Sequence, residues 1–198
     1  KNSLPIWLSE DLILWKGHEE AENIAIAFNK TPTLDLRVNS LKTTLRSLIK
    51  DFDEFGLTCN SIERVPLGLE IQSGEGIVSD WPGYYDGKWC IQDRSSQWVT
   101  PFLAPSAGEK ILDMCAAPGG KSTHIAELIG NDGEVWAIDR SEKKLKRLVA
   151  NAERLGASCL KFLAADSTLL LDLKPNWKNY FNRILLDAPC SGLGTLAR

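Results

Sequence analysis

The hydrophobic and polar positions change period several times along the chain, and each change marks an element. Over 19–28, Ala21, Ile24, Ala25 and Phe28 recur at helical spacing until Thr31-Pro32 stops the pattern, so residues 1–29 read as an acidic helical linker or the remnant of a helical domain. At Leu34 the period becomes two: Leu34, Leu36 and Val38 alternate with Asp35 and Arg37, as in a half-buried strand. A helix follows, capped by Thr43 or Thr44, striped by Leu45, Leu48, Ile49, Phe52 and Phe55, and ended by Gly56. Strand-like pieces at 61–65 and 69–71, then Gly- and Pro-rich turns up to Tyr85, extend this into a small α/β unit. Residues 92–97 open a helix that runs to Leu103, with Trp98, Val99 and Phe102 directed at a core and Pro101 disturbing its boundary. The small unit is assigned to residues 30–104, and Pro105-Ser106-Ala107-Gly108 is the expected hinge.

Beyond that hinge the alternation is regular. Apolar strands at 111–114, 135–138, 160–163 and 183–186 are separated by helical patterns, one over 122–129 ended by Gly130, another capped by Ser141 and stopped by Gly156. The second helix carries Leu145, Leu148, Val149, Ala152 and Leu155 on one stripe. Continuous apolar strands alternating with helices predict a parallel sheet covered on both faces, occupying residues 105–198.

The loop after the first of these strands reads Asp113-Met114-Cys115-Ala116-Ala117-Pro118-Gly119-Gly120-Lys121-Ser122. Ligands of open α/β sheets sit outside the carboxyl ends of the strands, where paired glycines admit a close approach and a helix N-terminus offers unpaired N–H groups. A phosphate-cradling nucleotide loop needs a glycine where Cys115 stands, and a dinucleotide fingerprint needs spaced glycines that Gly119 and Gly120 do not supply. The remaining common ligand is S-adenosylmethionine. Asp139 ends the second strand, where a carboxylate reaches ribose hydroxyls, and Asp166 follows the third at the same edge; carboxylates at three consecutive strand ends read as a ligand site, although any one alone reads as a cap or turn former.

Composition narrows the classes further. Five cysteines, Cys59, Cys90, Cys115, Cys159 and Cys190, are scattered without a Cys-x-x-Cys pair, and His18 and His124 are the only histidines, which predicts reduced thiols and no metal site. No stretch approaches the roughly 20 apolar residues of a membrane span, and a cytoplasmic location is expected. The net charge of −3 argues against a generic polyanion binder. Lys143, Lys144, Lys146, Arg147 and Arg154 share one predicted helix, and a solvated helix face is favoured for them over a phosphate-facing patch.

The fourth strand leads into Asp187-Ala188-Pro189-Cys190-Ser191-Gly192-Leu193-Gly194. This segment together with the loop from Cys115 to Lys121 resembles the Sun-type RNA cytosine-5 methyltransferases, those similar to ribosomal RNA small-subunit methyltransferase B. Leu36-Arg37-Val38-Asn39 and Gln92-Asp93-x-Ser95-Ser96-Gln97 also resemble that family, in the domain before its catalytic one. The resemblance implies a Rossmann-like class I methyltransferase sheet preceded by a small α/β, RNA-recognition-like domain. It implies that Cys115, Ala116, Ala117, Pro118, Gly119, Gly120, Lys121, Asp139, Asp166 and Asp187 contact S-adenosylmethionine and that the substrate is a cytidine in RNA, ribosomal RNA first. It further implies that a thiolate attacks C6 of the base, that Cys190 assists release of product, and that Asp187 hydrogen-bonds the base near N3. The family's nucleophile lies in a Thr-Cys motif well downstream of Arg198, and about seven strands are expected where four are read here. The expectation is therefore a partial sheet, inactive alone, with the strand at Ile184-Leu185-Leu186 exposed as an apolar edge prone to association. Two other readings remain open to the sequence: a DNA-type cytosine-5 methyltransferase with Cys190 as nucleophile, and a non-catalytic RNA-binding module using its tryptophans as stacking platforms, against which Trp98 and Trp136 read as core.

Overall fold

Alternation at residues 34–38 does produce a strand, and its apolar positions find a helix. The computed structural model describes residues 4–30 and 32–193, so Thr31 and Gly194 lie outside the described residues. β1 (Leu34–Val38) pairs antiparallel with β3 (Gly68–Ser73) and β4 (Trp89–Ile91), and β2 (Thr58–Ser61) pairs with β3, giving the order β2-β3-β1-β4. Leu36, Val38, Leu69 and Trp89 pack with Leu48 and Phe52 of α3 (Leu45–Phe55). The Thr44 hydroxyl accepts the Ser47 N–H at the start of α3, and Gly56 ends it in the left-handed conformation.

Four sequence expectations shift here. The strand expected at 61–65 ends at Ser61, because the chain turns through Arg64 at φ 64°. Phe55 points outward, 52% exposed. In α4 (Arg94–Leu103) Phe102 is 81% exposed and Trp98 also faces solvent, whereas Gln97 and Thr100 are buried. Only Val99 of the expected trio reaches a core. Finally, Asp35 and Arg37 do not face water: both are buried, so the sheet is covered on its second face as well.

The second sheet contains β5 (Lys110–Asp113), β6 (Glu134–Asp139), β7 (Leu160–Ala164) and β8 (Arg183–Leu185), all parallel, in the order β7-β6-β5-β8. In its own chain order this is 3-2-1-4, the doubly wound arrangement, in which the loop after the first strand opens at the switch point. Ile111, Val135 and Ala137 join Ile125 of α5 (Gly120–Leu128) and Leu148 of α6 (Glu142–Leu155) on one face. Leu112 and Ile138 join Leu170 and Trp177 on the other, from the short α7 (Leu170–Leu173) and the turn after it. α5 begins at Gly120, two residues before the position read from the sequence, because the Ser122 hydroxyl is committed elsewhere.

Residues 34–188 form one compact unit, and the joints between its sheets are polar. The Asn39 amide donates to the carbonyls of Gly87 and Leu155, each at 2.7 Å. Arg154 donates to the carbonyls of Tyr84 at 2.6 Å and Trp89 at 3.1 Å, which removes it from any phosphate-facing patch on α6; Lys146 pairs with Glu142 one turn away. The segment expected as a hinge is tied down: Gly108 donates to the Asp132 carbonyl at 2.7 Å and Ser106 to the Glu109 carboxylate at 2.9 Å. Among the described residues, the other unit comprises those up to Thr33 and those from Pro189 to Leu193. In it α1 (Ile6–Lys16) and α2 (His18–Phe28) bury Leu8, Leu12 and Ala21, with Leu193 packed against them. No helix of the described residues is long and apolar enough to cross a membrane.

Candidate functional site

Every strand of a parallel sheet ends on the same edge, so the acids that follow β5, β6, β7 and β8 share that edge by topology alone. Reading across the sheet order, they are Asp166, Asp139, Asp113 and Asp187. Asp113, Asp139 and Asp187 all act on the Cys115 thiol, which burial in the first place, and their charges in the second, raise above its ordinary range. Such a thiol is a poor nucleophile.

The bend itself is built by close packing. Gly119 sits at φ 107°, and a Cβ there would come within 2.7 Å of the Leu148 side chain. Any other residue would have to lift the loop away from α6. Ala116 donates to the Ile138 carbonyl at 2.8 Å and Met114 to the Leu185 carbonyl at 2.9 Å, so the loop is pinned to the strands on both sides of β5. The Ala117–Pro118 peptide is cis.

Each acid is held differently. Asp139 accepts from the Ala117 N–H at 3.2 Å and the Ser141 N–H at 2.8 Å, so it braces the loop and starts α6 at once; each oxygen retains a lone pair for a ligand hydroxyl. Asp166 accepts from the N–H and hydroxyl of Thr168, which hold its carboxyl below the usual carboxylate range. The local capping roles are thus realised for both, alongside their place at the edge. Asp187 pairs with the Lys121 ammonium at 2.5 Å. Cys190 is exposed and belongs to the unit that contains α1 and α2.

Asp113, which the sequence counts among the strand-end carboxylates but not among the residues contacting the cofactor, is the most buried of these acids, 1% exposed. Its Oδ2 accepts the Ser122 hydroxyl at 2.6 Å and its Oδ1 has no partner among the described residues. Burial pushes the carboxyl up to about 6, against the opposing Ser122 hydrogen bond. Its place at the last position of β5, before the bend, is the sequence signal that marks it, and its burial is what the sequence does not show.

These features fit an adenosyl ligand carrying an amino acid: glycine-opened backbone and first-turn N–H groups for its carboxylate, and acids for its hydroxyls and amino group. No group of three or more His, Cys, Asp or Glu suited to a metal occurs among the described residues. A doubly wound sheet with such an edge, joined to a small antiparallel α/β unit, defines a Rossmann-like methyltransferase with a ferredoxin-like domain in front of it.

The comparisons narrow this class to a family. The profile described as 16S rRNA methyltransferase RsmB/F matches residues 100–198, and the profile of the RsmF/B-like methyltransferase ferredoxin-like domain matches residues 4–77. The probable ribosomal RNA small subunit methyltransferase B of Synechocystis sp. is 41% identical over 99% of this chain and 44% of its own length. The 26S rRNA (cytosine-C(5))-methyltransferase nsun-1 of Caenorhabditis elegans is 34% identical over 91% of this chain and 27% of its own length. A crystal structure of a methyltransferase homologue from Pyrococcus horikoshii superposes with a TM-score of 0.80 at 32% identity, covering 98% of this chain and 67% of that one. The chain belongs to the RsmB/F family of 16S rRNA methyltransferases. It spans less than half the length of the curated relatives it matches.

Proposed function

We propose that the protein transfers a methyl group from S-adenosylmethionine to C5 of a cytidine in ribosomal RNA, in the cytoplasm, and that this chain supplies the cofactor half of the site. The observation that carries this reading is the glycine bend between β5 and α5 with four acids in line along the same sheet edge. S-adenosylmethionine would supply an electrophilic methyl on its sulfonium. Gly119, Gly120 and the first N–H groups of α5 take its carboxylate, Cys115, Ala116, Ala117 and Pro118 border it, and Lys121 tethers Asp187 beside it. Asp139 and Asp166 take its polar hydroxyl and base edges. Asp187 hydrogen-bonds the cytosine near N3 and Cys190 assists product release, with the attacking thiolate supplied downstream of Arg198. On this reading 1–29 is a helical linker or the remnant of a helical domain, 30–104 the small domain and 105–198 the first half of the methyltransferase domain.

The raised thiol of Cys115 supports leaving nucleophilic attack to another cysteine. The relatives' names favour RNA over DNA as substrate, and thus the release role over the attacking role for Cys190. Titration calorimetry of this chain with S-adenosylmethionine tests the cofactor half. Saturable binding that weakens about tenfold or more, some 1.4 kcal/mol, in Asp139→Ala is expected. No heat with the parent chain would leave only the fold. In the whole protein, a covalent complex on 5-fluorocytosine RNA that survives Cys190→Ala is expected; loss of the complex would make Cys190 the nucleophile.

A further inference from the structure

The proposed cofactor site leaves unused the largest fully buried charged side chain among the described residues, Arg37 on β1 in the small sheet. It is 0% exposed, and every guanidinium donor nitrogen is engaged. Nε and Nη2 fork onto Glu127 of α5 at 2.9 and 2.6 Å, and Nη2 also reaches the Thr123 hydroxyl at 3.1 Å. Nη1 donates to the Gly120 carbonyl at 2.7 Å and to the Gln92 side chain. Three of these four partners lie on α5 and two of them in its first turn.

A buried ion pair is a poor adhesive, since desolvation of both charges offsets most of their attraction and apolar residues of equal volume would join two surfaces as well. What a planar five-donor fork adds is orientation. The Gly120 carbonyl and the Lys121 N–H are opposite ends of one trans peptide unit. Holding the carbonyl from inside the molecule therefore aims the N–H back past the Gly119 bend, toward the sheet edge. Gln92, the second acceptor of Nη1, lies 3.5 Å from where a Gly120 Cβ would stand, so the layer beneath the loop is made by the small sheet and its following segment.

We infer that Arg37 is a positioning residue for the ligand loop: through the Gly120 carbonyl, the small sheet sets the first-turn peptide that the cofactor site presents. This rests on the cofactor reading above for its consequence, but its structural core can be tested without any ligand. In hydrogen exchange of the ligand-free chain, Arg37→Lys, which keeps a charge for Glu127 but loses the fork, speeds exchange of the hydrogen-bonded α5 amides, beginning with Thr123 on the Gly119 carbonyl at 2.9 Å, at least tenfold relative to those of β6. Glu127→Gln, which keeps an acceptor for the fork, changes them less than threefold, although both variants melt at lower temperature. Affinity for S-adenosylmethionine follows the same order, falling about tenfold only in Arg37→Lys. Should Arg37→Lys fail to fold, Gln92→Met carries the test by the same local acceleration. Unchanged exchange of those α5 amides in Arg37→Lys, or in Gln92→Met where that variant carries the test, or equal effects of Arg37→Lys and Glu127→Gln, overturns the inference. A parent chain that binds no S-adenosylmethionine overturns the cofactor reading instead, with the exchange result still deciding this one.

Discussion

Single residues in this chain carry charge where a sheet and a helix leave almost no water, and pH is the variable that reads them. Asp113, pushed up to about 6, keeps its proton in the folded chain to higher pH than in the unfolded one, where the ordinary value is 3.8. Its contribution to stability is complete below that ordinary value and is lost as pH rises through 6, about 3 kcal/mol in all. Asp113→Asn retains an acceptor for Ser122 and cannot ionise, so denaturant titrations should find it more stable than the parent by up to about 3 kcal/mol at pH 8 and no more stable at pH 3.5. His124 acts in the other direction. Burial, then the charge of Arg37, pushes its imidazole down to about 2. The stability this represents is complete above 6.5 and is lost as pH falls, about 2 kcal/mol by pH 5. His124→Gln should flatten that acid limb between pH 7 and 5, whatever it does to absolute stability; an unchanged slope would show that the imidazole is not held neutral.

Among the elements, glycine positions separate backbone freedom from backbone contact. Gly87 has φ 70° and a Cβ on it would lie 1.9 Å from the Arg154 carbonyl at the end of α6. Gly130, after α5, has nearly the same angle, φ 61°, and open space around it. Gly130→Ala should cost about 1 kcal/mol, the strain of a left-handed alanine, and Gly87→Ala about 3 kcal/mol or more because the joint between the sheets must part. Equal losses in thermal unfolding would mean that the close approach contributes nothing.

At the scale of the whole molecule, residues 34–188 form one compact unit tied by polar joints, and the strand β8 carries an apolar side that faces solvent. β8 is an edge strand among the described residues, with Ile184 55% and Leu186 61% exposed, beside an exposed Leu171. Such an edge recruits other chains. Light scattering across a concentration series should find self-association of this chain that Ile184→Lys reduces; a monomer at every concentration would remove the edge as a cause.

Local rules made much of this legible in advance. Thr44 and Ser141 cap helices through their own hydroxyls and Gly56 and Gly156 end them with positive φ, because each depends on contacts within a few residues, and the apolar runs at 111–112 and 135–138 show as strands because only a sheet covered on both faces buries them. That the acids share one sheet edge follows from the strands being parallel, which is why strand position alone puts Asp139 and Asp166 at that edge, whereas Asp187 was assigned through the family resemblance. The three-residue β4 had no such local signal, being too short for any period to show. Nor did the outward turn of Phe102 or the burial of Gln97, whose amide donates to the nearby Gln92 carbonyl and to that of Leu36, 61 residues away in the chain. Asp35 and Arg37 are the sharpest instance. Alternation placed them opposite the core of the small sheet, and they are, but what stands there is α4 and α5 rather than water. Period along a chain states which residues share a face, whereas only packing between distant segments decides what that face meets.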